Sequence, residues 1–194
     1  MKKWTFIFLF VLNISGACAL FPVSSSSIVA TEQPQHKVIR IDDITKTEIQ
    51  KKFPWITDRL YYIIEKESAK YEEVNPMLVS SLMWKESRGK RLARSHAGAI
   101  GYMQVMSFHY SGKRNDLYKP EINIKVGVRE LATCFRRKRF RSDIGALKCY
   151  NAGPNHKKYT NWKYVREITN NYDDLSNKVM DKVMVYIDSG YEVI

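Results

Sequence analysis

Apolar residues recur at helical spacing over most of this chain. Ile56, Leu60, Tyr61, Ile63, Ile64 and Tyr71 fall on one face of a helix. Asn75 is placed as an N-cap with Pro76 in the first turn, and Met77 to Glu86 continues as an apolar helix that Gly89 is placed to end. The stretch Ser95 to Gly101 is small and flexible, which predicts a loop or short hairpin. A long helix is expected from about Glu121 to Arg139, with Ile122, Val126, Val128, Leu131 and Phe135 on its buried side. Asp143 to Tyr150 reads as a short helix stopped by Gly153-Pro154. Two further helices are expected, Trp162 to Thr169 and Leu175 to Ile187. Upstream, Val38 to Ile41 reads as a short strand and Ile44 to Lys52 as the start of a helix. Periodicity thus gives a mainly α protein, without an internal repeat or a coiled-coil heptad.

The first residues follow a different pattern. Lys2 and Lys3 precede an apolar run from Trp4 to Ile14, and Ala17-Cys18-Ala19 fits a small-residue cleavage site. This pattern reads as a secretory signal peptide over residues 1–19, too short for a membrane span. A lipidated Cys18 is the minor alternative. Residues 20–52 read as a linker or extension, residues 53–172 as the main domain and residues 173–194 as a C-terminal helical tail. Export to the periplasm or cell envelope changes the meaning of the remaining cysteines. Cys134 and Cys149 are either a disulfide or two buried thiols on neighbouring helices.

The formal net charge of +12 suits a polyanionic partner, with Arg136 to Arg141 the densest cluster. In an exported protein that anion is the cell-wall polymer or acidic lipid and not nucleic acid. A solvated helix end is the plainer reading of the same cluster. The four histidines, His36, His96, His109 and His156, are scattered without metal-ligand spacing. We expect no metal site and no cofactor. Neither a Ser-His-Asp order nor a phosphate-binding loop is present in the sequence.

Glu86 is the candidate for chemistry. It follows Leu82, Met83 and Trp84, an apolar setting in which a carboxylic acid can stay protonated near neutral pH. Four segments occur in order: Met83 to Gly89, Ser95 to Met106, Pro120 to Ile124 with Gly127, and Ala146 to Pro154. Together they resemble the catalytic domain of the soluble lytic transglycosylases, family 23 of the glycoside hydrolases, from about Pro54 to about Ile168. The resemblance implies a lysozyme-like helical domain with a small loop or hairpin beside a cleft. It implies an enzyme that cleaves the β-1,4 bond between N-acetylmuramic acid and N-acetylglucosamine in peptidoglycan without water. The product is a 1,6-anhydromuramoyl end.

Carried over by position, Glu86 is the single acid and base. Ser95, Met103, Gln104, Tyr150, Asn151 and Tyr164 are expected at the substrate, with Tyr164 close to Glu86 and Tyr172 its rival. Gly98 and Gly101 match glycines that let backbone lie against sugar. Tyr102 stands where the family often has leucine. Each residue also has a plainer reading: turn cap for Ser95, core filler for Met103, packed core for Tyr150. A muramidase of the same fold would need a second carboxylate, Asp116 or Glu121. A non-catalytic basic wall-binding module is the rival from another class. Besides glycan strands, the resemblance suggests an envelope-spanning secretion or conjugation machine as a partner.

Overall fold

The computed structural model describes residues 37–156 and 159–194. The expected signal peptide and Cys18 lie outside them. Six α-helices carry the described fold: α1 (Ile41–Lys52), α2 (Asp58–Ser68), α3 (Pro76–Ser87), α4 (Pro120–Arg136), α5 (Asp143–Ala152) and α6 (Trp162–Asp188). A two-residue parallel pair, β1 (Val38–Ile39) with β2 (Glu192–Val193), joins the two ends of the described region.

Local chemistry starts the helices where the sequence predicts. Thr57 caps α2 by accepting from the Leu60 amide at 3.3 Å. Asn75 caps α3 by accepting from Leu78 at 3.0 Å, and Pro76 occupies the first turn. Ser142 caps α5 by accepting from Gly145 at 3.1 Å. Helix α3 is buried along Leu78, Val79, Leu82 and Met83, and it packs against α2 and α6. Each such side chain contributes about 1.5–3 kcal/mol on leaving water. The end of α3 is sharp because Arg88 is left-handed at φ 54°. Gly89, at φ 75°, follows with Trp55 packed so closely that a Cβ would lie 2.4 Å from the indole ring.

The structure departs from the sequence expectation in two places. Helix α4 ends at Arg136 and not Arg139; Arg137 is extended and Lys138–Phe140 form a 3-10 turn. Four successive cations repel within one helix, and the turn lets Phe140 enter the core at 5% exposure. The two expected C-terminal helices are one, α6, continuous through Asn170 and Asn171. Burial of Ile168 and Leu175 on either side holds the weak helix formers between them. Upstream, the expected short strand and helix are present as β1 and α1, and α1 packs on α6 with Ile44, Val179 and Val183 in a second small core.

Between α3 and α4 the chain makes short antiparallel bridges, Arg94 with Ile100 and Ile100 with Val105. Asn123 of α4, 1% exposed, holds this hairpin from below. Its amide donates to the carbonyls of Ile100 and Leu117, both at 2.8 Å, and its oxygen accepts from the Met103 amide at 2.8 Å. Cys134 and Cys149 are bonded, with Cα atoms 5.7 Å apart, and tie α4 to α5. Among the described residues no helix is long and apolar enough to cross a membrane.

Candidate active site

Glu86 is the penultimate residue of α3. The hydroxyl of Tyr164, the third residue of α6, donates to Glu86 Oε1 at 2.5 Å. Tyr164 is 3% exposed, and Asn161, the N-cap of α6, fixes its start by accepting from the Tyr164 amide at 3.3 Å. Burial pushes the Glu86 carboxyl up to about pKa 7, against the opposing pull of the Tyr164 hydrogen bond and of Lys85. The carbonyls at the end of α3 act in the same direction as burial, because a helix C-terminus disfavours an anion. Lys85 does little for Glu86 because its ammonium is turned to Glu167 at 2.6 Å. Burial, then the Glu86 charge and hydrogen bond, raise the Tyr164 hydroxyl well above the ordinary tyrosine range.

Tyr150 lies on the same side. Its hydroxyl donates to the Met103 carbonyl at 2.8 Å, and burial together with the Glu86 charge raises it. Tyr150 and Gln104 share a cavity of about 130 Å³ with Met106, His109, Glu130 and Arg137. Gln104 is left-handed at φ 48°, and its side chain donates to the carbonyls of Gly101 at 3.0 Å and Ala93 at 3.3 Å. It therefore braces the hairpin through backbone bonds. Met103 is fully buried, against Gly127, where a Cβ would lie 2.5 Å from its sulfur. Only its backbone carbonyl reaches toward Tyr150. Ser95 caps its own turn, accepting from the Ala99 amide at 3.0 Å, and does not hydrogen-bond Glu86. Gly98 and Gly101 are both left-handed, and a Cβ on Gly101 would lie 2.4 Å from the Asn123 amide. Asn151 is exposed and accepts from Tyr159 at 3.1 Å and Asn161 at 3.3 Å. The rival Tyr172 bonds Asn75 at 3.2 Å, away from Glu86.

Thus Glu86, Tyr164 and Tyr150 are brought together, with Asn151 joined through Tyr159 and Asn161. Ser95 and the Met103 side chain are not. Sequence reasoning missed three residues. Asn161 carried an N-cap signal, and Asn123 sat inside the Pro120 to Ile124 segment; Tyr159 carried none. The carboxylates considered as second groups stand apart: Asp116 is held by Lys119 at 2.8 Å and Glu121 by Arg59 at 2.7 Å. No set of three His, Cys, Asp or Glu side chains among the described residues could hold a metal ion.

A family model described as the transglycosylase SLT domain matches residues 59–172. That is more than half of the chain, and the chain belongs to this family. The six helices among the described residues give the mainly α architecture that the sequence resemblance implied. Solved structures similar to it include the 70 kDa soluble lytic transglycosylase from Escherichia coli, at 22% identity and TM-score 0.46 over 66% of this chain and 20% of that one. A complex of the 70 kDa soluble lytic transglycosylase with bulgecin A matches at 19% identity and TM-score 0.47, over 68% and 22%. An inactive mutant of the lytic transglycosylase Slt from Pseudomonas aeruginosa matches at 20% identity and TM-score 0.47, over 72% and 25%. The chain spans about a fifth to a quarter of the length of these structures.

Proposed function

We propose that this chain is an exported lytic transglycosylase acting on peptidoglycan glycan strands. One observation carries the reading: in a member of the SLT family, the Glu86 carboxyl is withdrawn from water to a pKa of about 7 and held by Tyr164. Near neutral pH such a group is divided between acid and base forms, which the reaction uses in turn.

Protonated Glu86 gives its proton to the glycosidic oxygen between N-acetylmuramic acid and N-acetylglucosamine. The C1–O bond breaks, and the 2-acetamido oxygen of the muramoyl sugar takes the place at C1. The Glu86 carboxylate then removes the proton of the 6-hydroxyl of the same sugar. O6 attacks C1 and expels the acetamido group, leaving a 1,6-anhydro ring and protonated Glu86. No water is consumed, and the intramolecular attack has a large effective concentration. Tyr164 fixes the rotamer of Glu86 and stabilises its anionic form between the two proton transfers. Tyr150, Gln104 and Asn151 bound the sugar; Met103 acts through the carbonyl that holds Tyr150, and Ser95 through the shape of the loop. A second carboxylate is not required, in keeping with the cation pairing of Asp116 and Glu121. Neither a lipid at Cys18 nor a secretion or conjugation machine is needed for this reading.

The test is mass spectrometry of fragments released from purified peptidoglycan by the protein and by Glu86→Gln. Muramoyl ends one water lighter than a reducing sugar, absent with the variant, are expected. Reducing muramoyl ends would make the protein a muramidase. Equal release by the variant would remove Glu86 from the chemistry.

A further inference from the structure

Tyr159 also lines a second, open cavity of about 350 Å³, between the Lys138–Phe140 turn, α5 and the start of α6. Its walls carry Arg139, Phe140, Lys148, His156, Tyr159 and Trp162. The rings form a continuous file: Phe140 stacks on His156 at 5.4 Å, His156 meets Tyr159 at 5.6 Å, and Tyr159 meets Trp162 edge-on at 6.0 Å. Trp162 is nevertheless 54% exposed. A tryptophan left half in water beside a cavity presents apolar surface that a ligand can cover.

Among the described residues, no carboxylate pairs with Lys148 or Arg139 in this cavity. Lys148 Nζ stands 3.6 Å from the centre of the Trp162 ring and 5.8 Å from that of Tyr159. Arg139 lies over Phe140 at 5.3 Å. Neither has a carboxylate in ion-pair range among the described residues, whereas Lys85, Lys119 and Arg59 all do. The cavity is also joined to the candidate active site. Tyr159 donates to Asn151, and its hydroxyl is pushed up to about 12 by burial and by the Glu86 charge.

We infer that this cavity is a subsite for a carboxylate-bearing muramoyl unit of the glycan strand, with sugar against Trp162 and the carboxylate on Lys148 and Arg139. The inference rests on the proposed function and deepens it. Such a unit supplies a carboxylate in one of two ways, from the lactyl group where no peptide is attached or from the peptide whose amide bond consumes the lactyl carboxyl. A charge-assisted hydrogen bond to either strengthens binding, and a neutral saccharide receives none.

The experiment is calorimetric titration of the full chain carrying Glu86→Gln, which removes turnover. Three ligands are compared: a muramoyl tetrasaccharide with free lactyl carboxylates, the same glycan with peptide stems, and neutral chitotetraose. We expect the carboxylated glycans to bind about tenfold tighter than chitotetraose. Lys148→Met should close most of that gap and leave chitotetraose unchanged, Lys148→Arg should keep it, and Trp162→Ala should weaken all three. In the stem-bearing glycan the lactyl carboxyl is tied up as an amide. A gap confined to the free-lactyl glycan therefore assigns the lactyl carboxylate, a gap confined to the stem-bearing glycan assigns the peptide, and a gap for both means that the site takes either carboxylate. A gap that survives both Lys148→Met and Arg139→Gln would overturn the subsite while leaving the proposed function standing. Equal weakening of chitotetraose by Lys148→Met would also overturn it, as a structural effect. Binding of none of the three would overturn both.

Discussion

Glu86 and Glu121 are the same side chain in helix-end turns, and the protein treats them oppositely. Glu86 closes α3, where the free carbonyls oppose a negative charge; Glu121 opens α4, where the free amides favour one. Glu86 is withdrawn from water and bonded to a neutral hydroxyl, so its carboxyl rises to about pKa 7. Glu121 bonds its own backbone amide and the Arg59 guanidinium, so its carboxyl is held below the usual range. Family motifs mark both residues, but environment alone makes one of them a usable acid.

The largest effect should come from removing the two carboxylates in turn. Glu86→Gln is expected to lower anhydromuropeptide release roughly a thousandfold. Glu121→Gln should change it less than about twofold, because an exposed pair contributes under ~1 kcal/mol. Fragment yield read by liquid chromatography distinguishes them, and equal losses would erase the contrast.

The frame around Glu86 is next in size. The Cys134–Cys149 bridge closes a separation of 15 residues and holds α5, with Tyr150, against α4. Replacing both cysteines by alanine should cost about 3 kcal/mol in denaturant unfolding.

Stability should then reveal the cost of partly desolvating Glu86. Its folded pKa lies above the ordinary 4.5, so below pH 4.5 both states are protonated and no cost exists. Between 4.5 and about 7 the unfolded chain loses its proton first, and stability falls as pH rises. Glu86→Gln should therefore be more stable than the parent at pH 8, by up to about 3 kcal/mol, and equal to it near pH 4. Unfolding curves at the two pH values check this. A stabilising effect at pH 4 would contradict the burial assignment.

The smallest expected effect is the most specific. The Tyr164 hydroxyl favours the Glu86 anion, so Tyr164→Phe should raise the carboxyl pKa. The basic limb of the rate profile should move to higher pH, with about a tenfold loss in rate. A limb that moves down, or does not move, would mean that Tyr164 does not act through Glu86.

Most of the helices were legible because each has an unmistakable start. Asn75-Pro76 and Ser142 each carry a capping group, and the apolar spacing behind them is strong. The choice of Tyr164 over Tyr172 was also legible, through the spacing to Ile168. What the sequence could not show was the direction of side chains within a motif. Met103 and Gln104 are adjacent to Tyr102 in one short hairpin, yet Met103 turns wholly inward beneath Gly127 and Gln104 spends its amide on two backbone carbonyls. The turn at Gln104, left-handed and tied to Asn123 from a helix twenty residues away, decides this.

By itself the sequence determined the mainly α class, the family, and which glutamate to watch, because periodicity, capping and motif order are properties of neighbouring residues. Tertiary structure decided the rest. It joined Cys134 to Cys149, merged two weak helices into α6, and placed the Tyr164 hydroxyl on Glu86 across 78 residues of chain. The acidity of a carboxyl depends on how much water is displaced around it and which dipoles replace that water. Those neighbours come from α3, α5 and α6 together, and only packing brings them to one place.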